Sequence, residues 1–285
     1  GPFSTTWHRN EQLLEEEGHV TDLLASEAVK WIEDRGESPF FLYVPFTAVH
    51  LPINEPSEWL EQVPDTIESE IARQYAACVM HLDDAIGQII SAIDRKGIRR
   101  QTLLVVTSDN GGSTTTNNTQ PYPPDDSPPG NLTANNGELR GQKGSVYEGG
   151  TRVPTLVSWP GSITTRKEQS AVCIVDWMPT FCQLAGFEPS DDLRWDGVDL
   201  SEMLLKSSPV PDRSIYVAGP RWRQVSLRMG PWKLVTDMKD KHELFHLATD
   251  STEQMDRSHD EPDRVQDMLS KLRDVSQHDR DSVAK

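Results

Sequence analysis

The sequence predicts an α/β protein with a mixed, mostly parallel sheet flanked by helices, followed by a small antiparallel sheet with one helix. Three observations predict this fold class. Short β-branched apolar runs alternate with segments of helical periodicity, the runs end in polar residues and glycines, and the rhythm changes near residue 212 to short strands separated by turns. We therefore expect an α/β domain over residues 1–205 and a small α+β subdomain over residues 206–285.

The elements of the first domain follow from periodicity along the chain. Apolar residues three and four apart indicate amphipathic helices, and short apolar runs rich in β-branched residues indicate strands covered on both faces. In chain order the sequence predicts a helix over 21–35, a strand over 40–46, a long helix over about 69–96, strands over 102–108 and 153–159, and a helix over 175–184.

Residues 113–136 are rich in Thr, Asn, Pro and Asp and cannot propagate regular structure. A loop this long in a compact domain is either a surface excursion or a lid that shapes a site. In the second case Tyr122 would be its most useful contact. Asn-x-Thr triplets at Asn117 and Asn131 are too common by chance to predict glycosylation.

The second domain reads as an antiparallel meander closed by a polar helix. Basic residues on its strands either reach the rim of a cleft or form a solvated sheet face, and we favour the solvated face because cross-strand charge pairs explain them. The predicted strands are 214–218, 223–228, 232–237 and 242–247, the helix is 262–275, and the basic residues are Arg221, Arg223, Lys233, His242 and His246.

Polar residues follow two of the predicted strands. Asp109 and Asn110 come directly after the strand over 102–108 and are followed by two glycines, and His50 follows the strand over 40–46. Ligands bind at the carboxyl ends of strands in open α/β sheets, and carboxylate and amide oxygens suit calcium or magnesium. Taken alone, the Asp-Asn-Gly-Gly segment is more often the pattern of a tight turn than of a ligand site.

A Gly-rich basic segment over 139–154 carries Lys143 between two glycines. Glycine frees the backbone there, so Lys143 can point at an anion. A metal, a lysine and a histidine that converge on one cleft suit an anionic ester, whose charge must be neutralised before a nucleophile approaches.

At this point the sequence resembles the formylglycine-dependent sulfatases of the alkaline phosphatase superfamily. The resemblance is ordered along nearly the whole chain. It runs through Gly18-His19-Val20-Thr21-Asp22, Val49-His50-Leu51-Pro52, Tyr75-Ala76-Ala77, Leu82-Asp83-Asp84-Ala85-Ile86-Gly87, the segments 108–112, 139–154 and 175–180, Trp195-Asp196-Gly197-Val198-Asp199, and the segments 229–234 and 243–247.

The resemblance implies roles for four residues. Asp109 and Asn110 would complete a calcium site, with magnesium as a second option, Lys143 and His50 would bind the sulfate, and His50 would assist the leaving group. The substrate would be a sulfated small molecule or glycan. The resemblance also implies a periplasmic, extracellular or secretory location.

Two parts of the family pattern have no counterpart in this sequence. These are the Cys/Ser-x-Pro/Ala-x-Arg segment that matures to formylglycine and the pair of aspartates that ends the first strand. Both lie upstream of the Gly-His-Val-Thr-Asp segment in the family, so we expect a chain that lacks its N-terminal portion. The chain alone should then be inactive and prone to associate through an unpaired strand edge, with the missing segment as its partner. A phosphate or phosphonate monoester hydrolase and a degenerate binding module remain the alternatives.

Composition limits the partners. A net charge of -17 argues against nucleic acid or an anionic membrane as partner. The sequence contains no run of 18 apolar residues, so it does not predict a membrane span.

Three scattered cysteines predict buried thiols, with Cys78 on the apolar stripe of the long helix. His81 lies near Asp83 and Asp84 on the same helix, but the spacing does not predict a metal site there.

Overall fold

The computed structural model describes residues 8–118, 127–190 and 193–277. Tyr122 lies outside these residues. The chain divides into two compact units, one formed by residues 1–103 and 113–135 and the other by residues 104–112 and 136–285. The division of the chain at residue 205 that the sequence suggests stays a prediction.

Two helices form the framework of the first unit. Helix α1 spans Val20–Asp34 and packs against the long helix α3, Glu70–Arg95. Helix α1 buries Ala25, Ala28 and Ile32, whose spacing of three and four residues places them on one face. Both helices are confirmed to within one residue of the sequence prediction. The unit also contains a short hairpin of β1 (His8–Arg9) and β2 (Gln12–Leu13) and helix α2 (Ser57–Leu60), none of which the sequence predicts.

Helix α3 buries a different stripe from the one its apolar residues indicate. Ile71, Cys78 and Ile93 are buried as expected, but farther along the helix Leu82 is only half-buried whereas His81 is buried. Among the described residues α3 is the one helix whose length and composition would allow it to cross a bilayer. Because its buried face packs against α1, we interpret it as a core helix.

The strand predicted over 40–46 does not form a ladder, and this corrects the sequence analysis. The segment carries no regular secondary structure, although its residues alternate between half-buried and exposed, with Phe41 and Tyr43 among the exposed ones. Alternation is the property that the sequence pattern encodes. A strand also needs a partner with which to exchange backbone hydrogen bonds, and no described strand pairs with this segment.

The second unit begins with a two-stranded ladder. Strand β3 (Leu104–Thr107) pairs antiparallel with β4 (Thr155–Ser158), with Leu104 opposite Ser158. All strand pairs in the described part of the chain are antiparallel, so the parallel pairs expected from the apolar runs do not occur there. An apolar run indicates that a strand is buried but does not encode the direction of its neighbour.

Helices α4 (Glu148–Thr151), α5 (Trp177–Leu184) and α6 (Ser201–Lys206) follow in the second unit. Helix α5 is confirmed, whereas α4 and α6 are too short to show a helical period in the sequence. Trp177, Leu200 and Leu204 form a core against which Val105 and Val157 of the ladder pack.

The C-terminal sheet is the meander that the sequence predicts. Its four strands pair antiparallel in chain order, and helix α7 packs on one face through Val265, Met268 and Leu272. Val235 and Phe245 belong to a second core that contains Val146. The elements are β5 (Ser214–Ala218), β6 (Val225–Met229), β7 (Trp232–Thr236), β8 (His242–His246) and α7 (Pro262–Ser276).

Candidate functional site

The loop after β3 carries two oxygen-bearing side chains. The Asp109 carboxylate is exposed and accepts no hydrogen bond and forms no ion pair within residues 8–118, 127–190 and 193–277. The Asn110 amide nitrogen donates to the Gly111 carbonyl at 3.0 Å, which leaves its amide oxygen as a ligand atom. The hydroxyl of Ser108 donates to the Asn110 carbonyl at 2.8 Å and fixes the turn.

Backbone hydrogen bonds join this loop to the Gly-rich segment that contains Lys143. The Lys143 amide donates to the Gly112 carbonyl at 3.0 Å, and the Gly111 amide donates to the Gly150 carbonyl at 3.0 Å. Asn136 accepts from the Gly112 amide at 2.8 Å and donates to its carbonyl at 3.2 Å. The structure therefore brings the backbone of Lys143 to the loop that carries Asp109 and Asn110, and the Lys143 side chain is exposed.

Glycine is required where the two segments meet. A Cβ on Gly111 would lie 1.8 Å from the Gly149 carbonyl oxygen, and a Cβ on Gly149 would lie 2.3 Å from the Gly141 carbonyl oxygen. Neither distance leaves room for a side chain. The Gly-Gly pairs of the sequence thus serve close backbone packing as well as turn formation.

A buried ion cluster supports the Gly-rich segment from the C-terminal sheet. The Lys233 ammonium lies 2.8 Å from Glu148 and 2.9 Å from Glu253, and all three residues are buried. Glu253 also accepts a hydrogen bond from the Glu148 amide at 2.7 Å. Burial raises the pKa of Glu253, although Lys233 acts to lower it. The interpretation of Lys233 as part of a solvated face is therefore wrong, because a strand pattern does not reveal a buried carboxylate on another segment.

A second, only partly buried contact between the Gly-rich segment and the C-terminal sheet joins Arg140, Tyr147 and Glu243. The Arg140 guanidinium lies 3.9 Å from the centre of the Tyr147 ring and donates to Glu243 at 3.0 Å, and the Tyr147 hydroxyl donates to the same carboxylate. Burial, followed by the hydrogen bond to Glu243, raises the pKa of Tyr147 to about 12. Tyr147 therefore stays neutral near pH 7.

A cavity of about 260 Å³ adjoins the Gly-rich segment. Trp222, in the turn between β5 and β6, is half exposed, and both it and Arg221 adopt positive φ angles of 50° and 58°. Such strained conformations cluster at functional sites. The cavity is lined by Gly144, Val146, Gly219, Pro220, Arg223 and Gln224.

His50 belongs to the first unit. Its side chain is exposed, and Nδ1 lies 2.6 Å from the carbonyl oxygen of Leu51. The role of His50 stays a prediction.

The first unit contains polar groups whose roles the sequence does not reveal. His81 lies between Glu55 and Asp22, and His19 lies beside it. The one signal in the sequence for this group is the spacing of three residues between His19 and Asp22 at the start of α1, which places both side chains near each other.

Asn117 is buried, and its amide contacts the backbone of Ile53 and Pro128, so a glycan does not fit there.

The donor set at the end of β3 fits a hard cation. Asp109 and Asn110 provide one carboxylate and one amide, both oxygen ligands of the kind that calcium prefers. The Asp109 carboxylate has no competing partner in the described part of the chain. Two side chains are fewer than the roughly six to eight oxygens that calcium binds, so these residues would contribute part of a shell.

Comparisons with known proteins identify the family of the chain. The sequence model of the family described as Sulfatase matches residues 2–187. A sulfatase of Formosa agariphila is 34% identical over 68% of this chain and 35% of its own length. Mouse N-acetylgalactosamine-6-sulfatase is 27% identical over 94% of this chain and 54% of its own length. The chain therefore spans about half the length of the mouse relative and 35% of the length of the Formosa relative.

A solved structure confirms the sulfatase-like fold with its C-terminal antiparallel sheet, although the strand pairs in the described residues are antiparallel rather than parallel. The crystal structure of Ps i-CgsB in complex with k-i-k-neocarrahexaose superposes with a TM-score of 0.83 at 28% identity, covering 94% of this chain and 57% of that one. The ordered motifs, the joined loops at the end of β3 and these similarities lead to one conclusion: the chain belongs to the sulfatase family.

Proposed function

We infer that this chain supplies part of the active site of a sulfuric ester hydrolase that acts on a sulfated carbohydrate or an aryl sulfate. One observation carries the proposal. The Lys143 amide donates a hydrogen bond to the carbonyl of Gly112. The cationic residue is thus held beside Gly112, at a position three residues along the loop from Asp109 and two from Asn110. A cation on a loop that is hydrogen-bonded to the loop of an exposed carboxylate is an arrangement suited to an anionic ester.

Each residue has a proposed task. Lys143 neutralises charge on the sulfate oxygens, and His50 delivers a proton to the departing alcohol. Asp109 and Asn110 would hold calcium, which would neutralise further sulfate charge when bound. No segment of this chain matches the formylglycine pattern of the family, so the nucleophile is not assigned to a residue here. The backbone contacts of Gly111 and Gly149 keep the two loops in register while these groups act.

The substrate proposal rests on the cavity lined by Gly144, which follows Lys143 in the chain, and by Arg223. The half-exposed Trp222 is not part of the lining but lies in the same turn as Arg223. An aromatic face and a guanidinium suit the apolar face and the acidic substituents of a sulfated sugar. The oligosaccharide bound in the Ps i-CgsB structure supports a glycan over a small aryl ester. Export to the periplasm or the cell exterior stays a prediction.

The test is sulfate release from an aryl sulfate and from sulfated oligosaccharides. The 285-residue chain should show no turnover by itself, because charge neutralisation does not replace a covalent nucleophile. Expressed together with any coding sequence that precedes it, the protein should release sulfate. Lys143→Ala in that protein should lower kcat/KM by about a hundredfold or more, the usual effect of losing one charge-stabilising group.

Lys167 provides the control. It is exposed on the same unit, so Lys167→Ala should leave the rate unchanged. Equal rates for Lys143→Ala and Lys167→Ala would remove Lys143 from the sulfate site. Faster release of phosphate from matched phosphate esters would replace the proposal with a phosphate monoester hydrolase, and no turnover of any ester by the longer protein would favour a binding module.

A further inference from the structure

Three side chains in the first unit converge at the start of α1. His19 precedes the helix, Asp22 lies in its first turn, and His81 projects from the middle of α3. His81 Nε2 lies 3.0 Å from Asp22 Oδ1, and the two imidazole rings are 4.7 Å apart. One ligand atom from each of the three residues lies within 4.8 Å of the other two. None of these residues has a task in the proposed sulfatase chemistry.

The ring of His81 is held in one orientation. Its Nδ1 lies 2.7 Å from Oε2 of the buried Glu55, and the Trp59 ring stacks on it at 4.7 Å. The Glu55 amide is itself held by Gln74 at 2.7 Å. A histidine that donates one ring N–H to a carboxylate presents its other nitrogen in a fixed direction, as metal-binding histidines do. Here that nitrogen faces Asp22.

We propose that His19, Asp22 and His81 bind one divalent cation of the zinc class, with Glu55 as the outer partner that orients His81. Two imidazoles and a carboxylate favour zinc over calcium or magnesium, which take oxygen ligands. Three protein ligands leave a fourth position for water.

Two of the three ligands already stand at the distance that zinc requires, whereas the three ligand atoms together lie only within 4.8 Å of one another. Zinc at about 2.0 Å from each ligand places neighbouring ligand atoms roughly 3.3 Å apart in a tetrahedron, and His81 and Asp22 already stand at 3.0 Å. His19 would change more, because its Nδ1 now accepts a hydrogen bond from the Thr21 amide. That bond is 3.3 Å long, so its loss costs little.

The cluster is open on one side. The Asp22 side chain is 47% exposed and that of His19 is 22% exposed, whereas His81 and Glu55 are buried. An ion can therefore enter from solvent toward Asp22 and His19 and meet a fixed nitrogen at the inner end. A competing account has no metal: a doubly protonated His81 would bridge both carboxylates at the same distances.

Metal binding separates the two accounts without any assay of hydrolysis. The purified protein, freed of its affinity tag and treated with chelator, is titrated with Zn²⁺ by calorimetry and with Co²⁺ by visible absorption. We expect about one Zn²⁺ per chain and the visible bands of tetrahedral Co²⁺. His81→Gln and His19→Ala should abolish the Co²⁺ bands, and Glu55→Gln should weaken Zn²⁺ binding about 10–100-fold.

The matched control is Asp84→Asn, an exposed change three residues from His81 on the same helix. It should bind Zn²⁺ as the parent protein does. Circular dichroism verifies the fold of each variant, and His19→Ala keeps the test valid if His81→Gln does not fold, since His19 is only half-buried. Absence of Zn²⁺ binding by the folded parent, or unchanged binding in His19→Ala, would overturn the proposal in favour of the metal-free bridge. Neither result depends on sulfatase turnover.

Discussion

Replacing Lys233 with methionine should destabilise the protein through the carboxylates that it leaves behind. Lys233 faces Glu148 and Glu253 at 2.8 and 2.9 Å, and all three groups are buried. Removing one partner from a buried ion cluster costs about 3–5 kcal/mol, because the remaining charges keep their desolvation penalty. At about 2–4 °C per kcal/mol in a domain of about 150–250 residues, the melting temperature should fall by about 6–20 °C.

The defect should depend on pH in a defined direction. Burial already raises the pKa of Glu253, and loss of Lys233 removes the cation that opposes this rise. A raised folded-state pKa contributes stability below the unfolded value of about 4.3, and this contribution is lost as the pH rises through the folded value. Lys233→Met should therefore be less destabilising near pH 5 than near pH 8.

The assay is thermal unfolding at both pH values, monitored by circular dichroism. Lys271→Met provides the matched control, because Lys271 is exposed on α7, and its effect should stay within about 0.5 kcal/mol. A melting temperature for Lys233→Met equal to that of the control would refute the reasoning about the buried carboxylates. A defect of equal size at the two pH values would refute the role assigned to Glu253.

Two further outcomes follow from the site and the core. Calorimetry with Ca²⁺ should show no tight site that depends on Asp109, since Asp109 and Asn110 supply two of roughly six to eight oxygens; a sub-micromolar site abolished by Asp109→Ala would mean that other carboxylates complete the shell. Thiol labelling of the native protein should leave Cys78 unmodified until the chain unfolds, because burial raises the pKa of its thiol; labelling of Cys78 at the rate of a free thiol would show that α3 opens readily.

The longer helices and the strands of the C-terminal sheet were predictable because their signals are local. Helices α1, α3 and α7 follow from apolar spacing, and the four strands of the C-terminal sheet follow from alternation between turns. Each lies within about two residues of its predicted bounds, as expected for ends that fray. The segment 40–46 shows the limit of this reasoning, since its exposure alternates as in a strand but the ladder depends on a partner elsewhere in the chain.

The candidate site was predictable only in part, for the same reason. Asp109 and Lys143 stand out because glycines and an apolar strand surround them. Lys233 and Glu148 are 85 residues apart, and His81 and Asp22 are 59 residues apart. No periodicity links such pairs, and the sequence shows His81 only beside Asp83 and Asp84 of its own helix, not beside α1.

The support of the Gly-rich segment has a consequence for the order of synthesis. Lys143 leaves the ribosome long before Glu253, which lies 105 residues after the Glu148 amide that it binds. At about 5–20 residues per second the segment waits several seconds or more for the cluster that holds it. Before Lys233 is synthesised Glu148 has neither its cation nor its carboxylate neighbour, and until Glu253 follows it still lacks the carboxylate. A nascent chain halted within the meander would already contain every residue proposed to contact sulfate in this sequence, yet its anion-binding loop would lack the contacts that fix it.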